Sequence, residues 1–212
     1  MTLQIRKSIV GPLENNTYLI WESETNESCL IDPGIGSIML TSEIKENGLV
    51  LKYILLTHAH FDHITDAHRI ANAFAPSPKI GLHPLDKPLW ESGGGAKEFG
   101  FQLDLGPLPN YDLEKNSLIN LGKYKINIIH TPGHTPGHVV FHIASEKVVF
   151  SGDLIFFHGV GRTDFNGGDH QQLLESIHMI VYTHPEETRI LSGHGSDTTI
   201  REEKLNNPFL NS

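Results

Sequence analysis

Four side chains of metal-ligand type crowd into the segment Thr57-His58-Ala59-His60-Phe61-Asp62-His63. Imidazole nitrogens and carboxylate oxygens bind a borderline divalent ion at about 2.0–2.2 Å. In an extended loop, residues two apart converge on one ion, as His58 and His60 would. Asp62 and His63 lie beyond the turn, where they would serve a second ion. A helix start capped by Asp62 needs only one of these residues and leaves the others without a task. Three histidines and a carboxylate under-ligate a pair of metals, so more ligands are expected elsewhere.

Three further clusters offer them. Thr131-Pro132-Gly133-His134-Thr135-Pro136-Gly137-His138 has two Pro-Gly turns that bar a helix and hold His134 in a rigid loop. Ser151-Gly152-Asp153 closes an apolar run. A carboxylate there is costly unless paired or metal-bound, which makes Asp153 a candidate bridge between two ions. Gly193-His194-Gly195 places a last histidine between glycines that permit close approach.

Each cluster follows a segment that reads as a strand. Residues 53–57 are apolar on both faces, as a buried strand requires, and deliver His58. Residues 124–130, 147–151 and 189–192 likewise precede His134, Asp153 and His194. Further strands are expected at 3–10, 17–21, 28–32, 79–83 and 139–143. Helices are expected from a Ser37 cap to Gly48, over 64–74, and over 171–182. Residues 84–110, with Gly93-Gly94-Gly95, read as a long surface loop with room for a short helix. Strands lead in each half and helices follow, which favours one α/β domain with two sheets over residues 1–212.

Composition narrows the partners. With Lys+Arg 16 against Asp+Glu 25, the formal net charge is −9, which repels phosphate backbones and argues against nucleic acid. No stretch approaches the ~20 apolar residues of a membrane span. The single Cys29 closes no internal disulfide, and Arg6 and Lys7 interrupt any apolar leader; a cytoplasmic protein is expected. The 14 histidines are an excess that points to metal ligation or proton transfer. Nothing in the sequence speaks to oligomeric state.

The ordered set 57–63, His134, Asp153 and His194 resembles the metallo-β-lactamase superfamily over nearly the whole chain. Gly11–Tyr18 (GPLENNTY), 31–34 (IDPG), 132–139 (PGHTPGHV), 152–165 (GDLIFFHGVGRTDF) and 207–210 (NPFL) look like its short glyoxalase-II-like hydrolases. The resemblance implies an αββα sandwich, an α/β fold of four layers, with metals at one edge between the sheets. It implies His58, His60 and His134 around a first metal, and Asp62, His63 and His194 around a second. Asp153 and a hydroxide would bridge the two, with Asp62 and Asp153 serving the reaction as well. Two zinc ions are expected, with iron or manganese also compatible with such donors. The β-lactamase branch proper places a cysteine where Asp153 stands, so antibiotic hydrolysis is not expected.

The activity implied is hydrolysis of a small-molecule thioester such as S-lactoylglutathione. Full-length glyoxalase II adds a C-terminal helical region for glutathione, whereas only residues 195–212 follow His194 here. Arg162 matches a basic residue that receives a substrate carboxylate, in competition with Asp164. Asp32 reads equally as support for a ligand histidine or as a turn residue before Pro33. Asp66 reads as a solvated first-turn carboxylate, and His130, His138, His142, His158 and His170 as structural. The competing functions are a mononuclear-iron glutathione persulfide dioxygenase, a lactone hydrolase and, last, a non-enzymatic metal-binding protein.

Overall fold

The computed structural model describes residues 2–210. Its first sheet runs in the order β1 (Leu3–Val10), β2 (Asn15–Glu22), β3 (Glu27–Ile31), β4 (Val50–Leu55), β5 (Lys79–Leu82) and β6 (Tyr111–Asp112). β1–β3 pair antiparallel and β3–β6 parallel. The second sheet holds β7 (Leu118–Leu121), β8 (Tyr124–His130), β9 (Val139–Ile143) and β10 (Val148–Gly152), paired antiparallel in succession. A small hairpin, β11 (Ile155–Phe156) with β12 (Gly159–Val160), follows. β13 (Arg189–Ser192) then returns parallel to β10, and β14 (Thr198–Thr199) closes the edge.

Side chains alternate along a strand with period two, and here both faces of each sheet are buried. Tyr18 and Ile20 of β2 face the second sheet, meeting Phe141 of β9 and Phe150 of β10 in one core. Leu19 between them faces outward into a core built with Leu40 and Ile44 of α1 (Leu40–Glu46) and Ile70. In the second sheet Val140 and Val149 point the other way, onto Leu173, Ile177 and Ile180 of a long helix. Helices therefore cover both outer faces, which gives the four expected layers of an αββα sandwich.

The element boundaries depart from expectation in instructive ways. β4 ends at Leu55, not Thr57, because the Thr57 N–H and hydroxyl both go to the Asp32 carboxylate at 2.7 Å instead of to a ladder. Ser37 caps nothing; its hydroxyl meets that of Thr17 at 3.0 Å, and a 3-10 turn precedes α1. The helix expected over 64–74 is two pieces, α2 (Phe61–Ile64) and α3 (Ala67–Ala71). Residues 84–110 carry more structure than a loop: 3-10 turns at Pro84–Asp86 and Ala96–Phe99 flank α4 (Lys87–Glu91). The long helix, α5 (His170–Thr183), is capped by Asp169, which accepts from Gln172 N at 3.0 Å. α6 (Ile200–Asn206) was not foreseen.

Candidate metal centre

All seven candidate ligands meet at one end of the two sheets. His58, His60, Asp62 and His63 lie on the loop after β4 and its continuation into α2, whereas His134, Asp153 and His194 follow β8, β10 and β13 of the other sheet. His60 occupies the N-cap position of α2 without a side-chain cap bond, so capping is not the task of this motif. Ligand atoms of His58, His60 and His134 lie within 4.8 Å of one another, as do those of Asp62, His63 and His194, and those of His58, His63 and Asp153.

Hydrogen-bond partners fix the imidazoles in ways that demand a cation. Thr57 Oγ1 spends its proton on Asp32, so His58 Nδ1 donates to it at 3.0 Å and Nε2 is left bare. His134 Nδ1 donates to the Arg162 carbonyl at 2.7 Å, which bares its Nε2 also. These two bare nitrogens face each other at 3.2 Å, with His60 Nδ1 at 2.9 Å from His134 Nε2. Opposed lone pairs repel, yet a tetrahedral ion with metal–nitrogen bonds of about 2.0–2.1 Å holds its ligand atoms about 3.3–3.4 Å apart. The Asp153 Oδ1 atom is also buried without a hydrogen bond. The donor set therefore fits divalent metal.

Electrostatics separates the two groups. Burial, then the neighbouring rings, pushes His58 far below an ordinary imidazole and His60 down to about 3, and burial lowers His134. Three neutral donors result. In the second group burial opposes charge, but Asp153 and Asp62 overcome it and raise His63, while Asp62 and Asp153 raise His194. Asp153 Oδ1 lies 3.4 Å from His63 Nε2 and Oδ2 lies 3.6 Å from His134 Nε2, so this carboxylate touches both groups. His63 and the other cations hold it well below the usual carboxylate range despite burial. The same field that attracts a proton here attracts a dication.

Buried polar groups anchor the ligand loops. Asp32 does both tasks expected of it: its carboxylate takes Thr57 and, at 3.1 Å, His63 Nδ1, while its backbone turns at φ +49° before Pro33. His138 is structural as expected, but within the site: its Nε2 accepts from Asp153 N at 3.2 Å. Gly152 has φ +47°, and a Cβ there would lie 2.5 Å from Thr57 Oγ1. Asn16 donates from its backbone N to Gly193 O at 2.7 Å and from its side chain to Ser192 O at 2.9 Å, tying β2 to the His194 loop.

Two anchors escaped the sequence analysis. Asp86 is fully buried and accepts from Ala59 N at 2.9 Å, Thr135 Oγ1 at 2.8 Å and Gly137 N at 2.6 Å. It thus holds the loops of His58/His60 and His134 to each other. Its signal was the one that marked Asp153, a carboxylate just past a strand, hidden in a segment without periodicity. Asp66 is not solvated, contrary to expectation. It is fully buried and accepts from Gly36 N, Ile38 N and Arg69, while its own N donates to Pro33 O at 3.0 Å, which fastens the IDPG turn and the 3-10 turn after it to α3.

A cavity of about 890 Å³ opens onto this centre, with His60, Asp62, His134, Asp153 and His194 at its floor. Arg162 lines it too. Its guanidinium, however, makes two bonds to Asp164, at 2.7 and 2.6 Å, and lies 3.8 Å over the Phe165 ring.

A profile of the metallo-β-lactamase superfamily matches residues 10–194, and the chain belongs to that superfamily. With this site and the relatives that follow, it is a metallo-hydrolase of the superfamily. It is 39% identical over 212 residues to hydroxyacylglutathione hydrolase GloC of Haemophilus influenzae, covering 96% of each chain. The crystal structure of TTHA1623 in a di-iron-bound form superposes with a TM-score of 0.86 at 39% identity, covering 97% of this chain and 100% of that one. The crystal structure of the BLEG-1 B3 metallo-β-lactamase superposes with a TM-score of 0.89 at 33% identity, covering 99% and 100%. Among the described residues no helix is long and apolar enough to cross a membrane.

Proposed function

We propose that the chain is a dinuclear metal-dependent hydrolase of small-molecule thioesters, with S-lactoylglutathione as its reference substrate. The observation that carries this is the double ligand set, two groups of three donors joined by Asp153, beneath an open cavity. His58, His60 and His134 would hold one ion, Asp62, His63 and His194 the other, and Asp153 both. A pair of divalent ions held there would supply a water of lowered pKa and a Lewis acid for the carbonyl. Zinc suits the donors, and iron occupies the relative crystallised in di-iron form.

This chain's own residues do the remainder. Asp62 and Asp153 stay ionised in a buried floor, because both carboxyls are held below their usual range against the effect of burial. The Nδ1 anchors on His58, His63, His134 and His194 keep each ring aimed inward, so little ordering is left for the moment of binding. Hydrolysis breaks the C–S bond, forms a C–O bond and releases a carboxylic acid and a thiol. Arg162 is the cation placed to meet a carboxylate on the thiol portion, at the expense of its bonds to Asp164.

Two donor groups favour this reading over a single-iron persulfide dioxygenase. Metal-quantified protein assayed against S-lactoylglutathione, a lactone, a β-lactam and, by oxygen uptake, glutathione persulfide tests it. Thioester turnover at two metals per chain is expected. Turnover confined to another substrate, or oxygen uptake at one iron per chain, would overturn it.

A further inference from the structure

Apolar side chains converge on the cavity above the polar floor. Phe61, Leu85, Leu89 and Phe99 come from α2 and the segment after β5, Phe156 from β11, and Phe165 from the loop beyond Arg162. Their rings form a chain: Phe99 lies 5.3 Å from Phe61 and 6.1 Å from Phe165, and Phe165 lies 5.4 Å from His60. Scattered surface apolar groups need no explanation, but a contiguous set around one mouth marks a binding surface. Leu85 is 53% exposed and Phe99 42% exposed, so their apolar area is still available.

The wall carries few charged groups. Away from the floor, the charged residues lining the cavity are Lys97, Glu98 and Arg162, and Asp164 occupies the Arg162 fork. Glutathione carries two carboxylates and an ammonium, and the thiol portions of biological thioesters are polar in general. Such a portion gains little from phenylalanine and leucine. The part of a thioester able to use this wall is therefore the acyl group, with the polar thiol portion leading out of the mouth past Lys97 and Arg162.

We propose that the cavity is an acyl pocket that selects thioesters bearing a medium-length aliphatic or aromatic acyl group over those whose acyl group is small and polar. This rests on the thioester-hydrolase reading above and deepens it. The Gly93-Gly94-Gly95 run makes the pocket possible. Phe61 N donates to Gly94 O at 2.9 Å, and a Cβ at Gly94 would lie 2.7 Å from Phe61 N, so the turn that carries Phe99 is seated directly on α2.

The test separates binding from turnover. Calorimetry on metal-loaded protein would measure non-hydrolysable S-alkyl thioethers of N-acetylcysteamine, from methyl to octyl. Each buried methylene is expected to tighten binding by about two- to fourfold. Phe99→Ala and Leu85→Ala, both at partly exposed positions, should flatten that dependence on chain length. Hydrolysis of the S-acetyl to S-octanoyl esters should show the same slope in kcat/KM. Flat binding and flat kcat/KM, with S-lactoylglutathione still cleaved, would overturn the acyl pocket and leave the hydrolase intact. Graded binding without turnover of any thioester would overturn the hydrolase reading, and with it the assignment of the pocket to an acyl group. A graded wild type whose slope survives both substitutions would remove these residues from the pocket.

Discussion

The floor and the wall of the cavity are built on opposite principles. Every ligand ring whose Nδ1 points outward has a fixed partner there, and the ligand loops are pinned by buried carboxylates at Asp32 and Asp86. The wall is made of short helical turns, positive-φ glycines and half-exposed apolar side chains. Shape there comes from aromatic rings in contact rather than from a hydrogen-bond network. The contrast assigns chemistry to the floor and choice of substrate to the wall, because reacting groups tolerate little displacement whereas apolar contact is non-directional.

Substitutions test that division. The largest effect is expected at Asp153, which touches both ligand groups: Asp153→Ala should lower kcat/KM by at least about a thousandfold, the scale of several kcal/mol of metal assistance. It should also reduce metal content per chain while the fold persists. Equal activity per bound metal would remove Asp153 from the mechanism.

Asp86→Ala strips the acceptor from three buried donors, each costing about 1–3 kcal/mol when unmet. The metal-free protein should lose at least about 3 kcal/mol, or roughly 6–12 °C in Tm for a chain of this size. An unchanged melting curve would show that the two ligand loops hold without it.

Arg162→Ala belongs to the wall and should do far less. Its fork already serves Asp164 at the surface, so KM for S-lactoylglutathione should rise by no more than about fivefold, the ceiling of an exposed ion pair. kcat should hold, the mark of lost uniform binding, and a thioester without a carboxylate in its thiol portion should not respond. Equal loss on both substrates would make Arg162 structural.

The smallest effect lies outside both regions. Burial and the neighbouring His184 ring hold His142 at about 4, below the 6.5 of a free imidazole. Between pH 6.5 and 4 the unfolded chain takes up a proton that the folded chain refuses, so stability falls as pH falls through that window. Chemical denaturation of His142→Gln across that range should show a shallower decline, and an identical slope would refute the assignment.

Strand ends were the legible part of this molecule. A buried strand announces itself by β-branched and apolar runs, and the polar residue that follows such a run has few reasons to be there; His58, His134, Asp153 and His194 were all found this way. The anchors were harder to see. Asp86 obeys the same physics but sits in a 3-10 turn within a segment that carries no periodicity, and Asp66 sits in a run that reads as one helix, whose break at this residue gives no local signal. Ser37 shows the reverse error: it is a good cap by residue type, but Thr17 claimed its hydroxyl. Tertiary partners outbid local preference, and a linear reading does not contain them.

One property of the ligand edge reaches beyond catalysis. Four of the seven candidate ligands follow a strand of one sheet and three follow strands of the other, and backbone bonds from Asn16 to Gly193 and from Val139 to Thr57 already cross between them. Ions held there would bolt the two halves of the chain together at that rim, leaving the far rim to breathe. Amide hydrogen exchange would then read metal loading as a gradient. Protection would be greatest beside Thr57 and Gly193, and chelation would erase it from that end first.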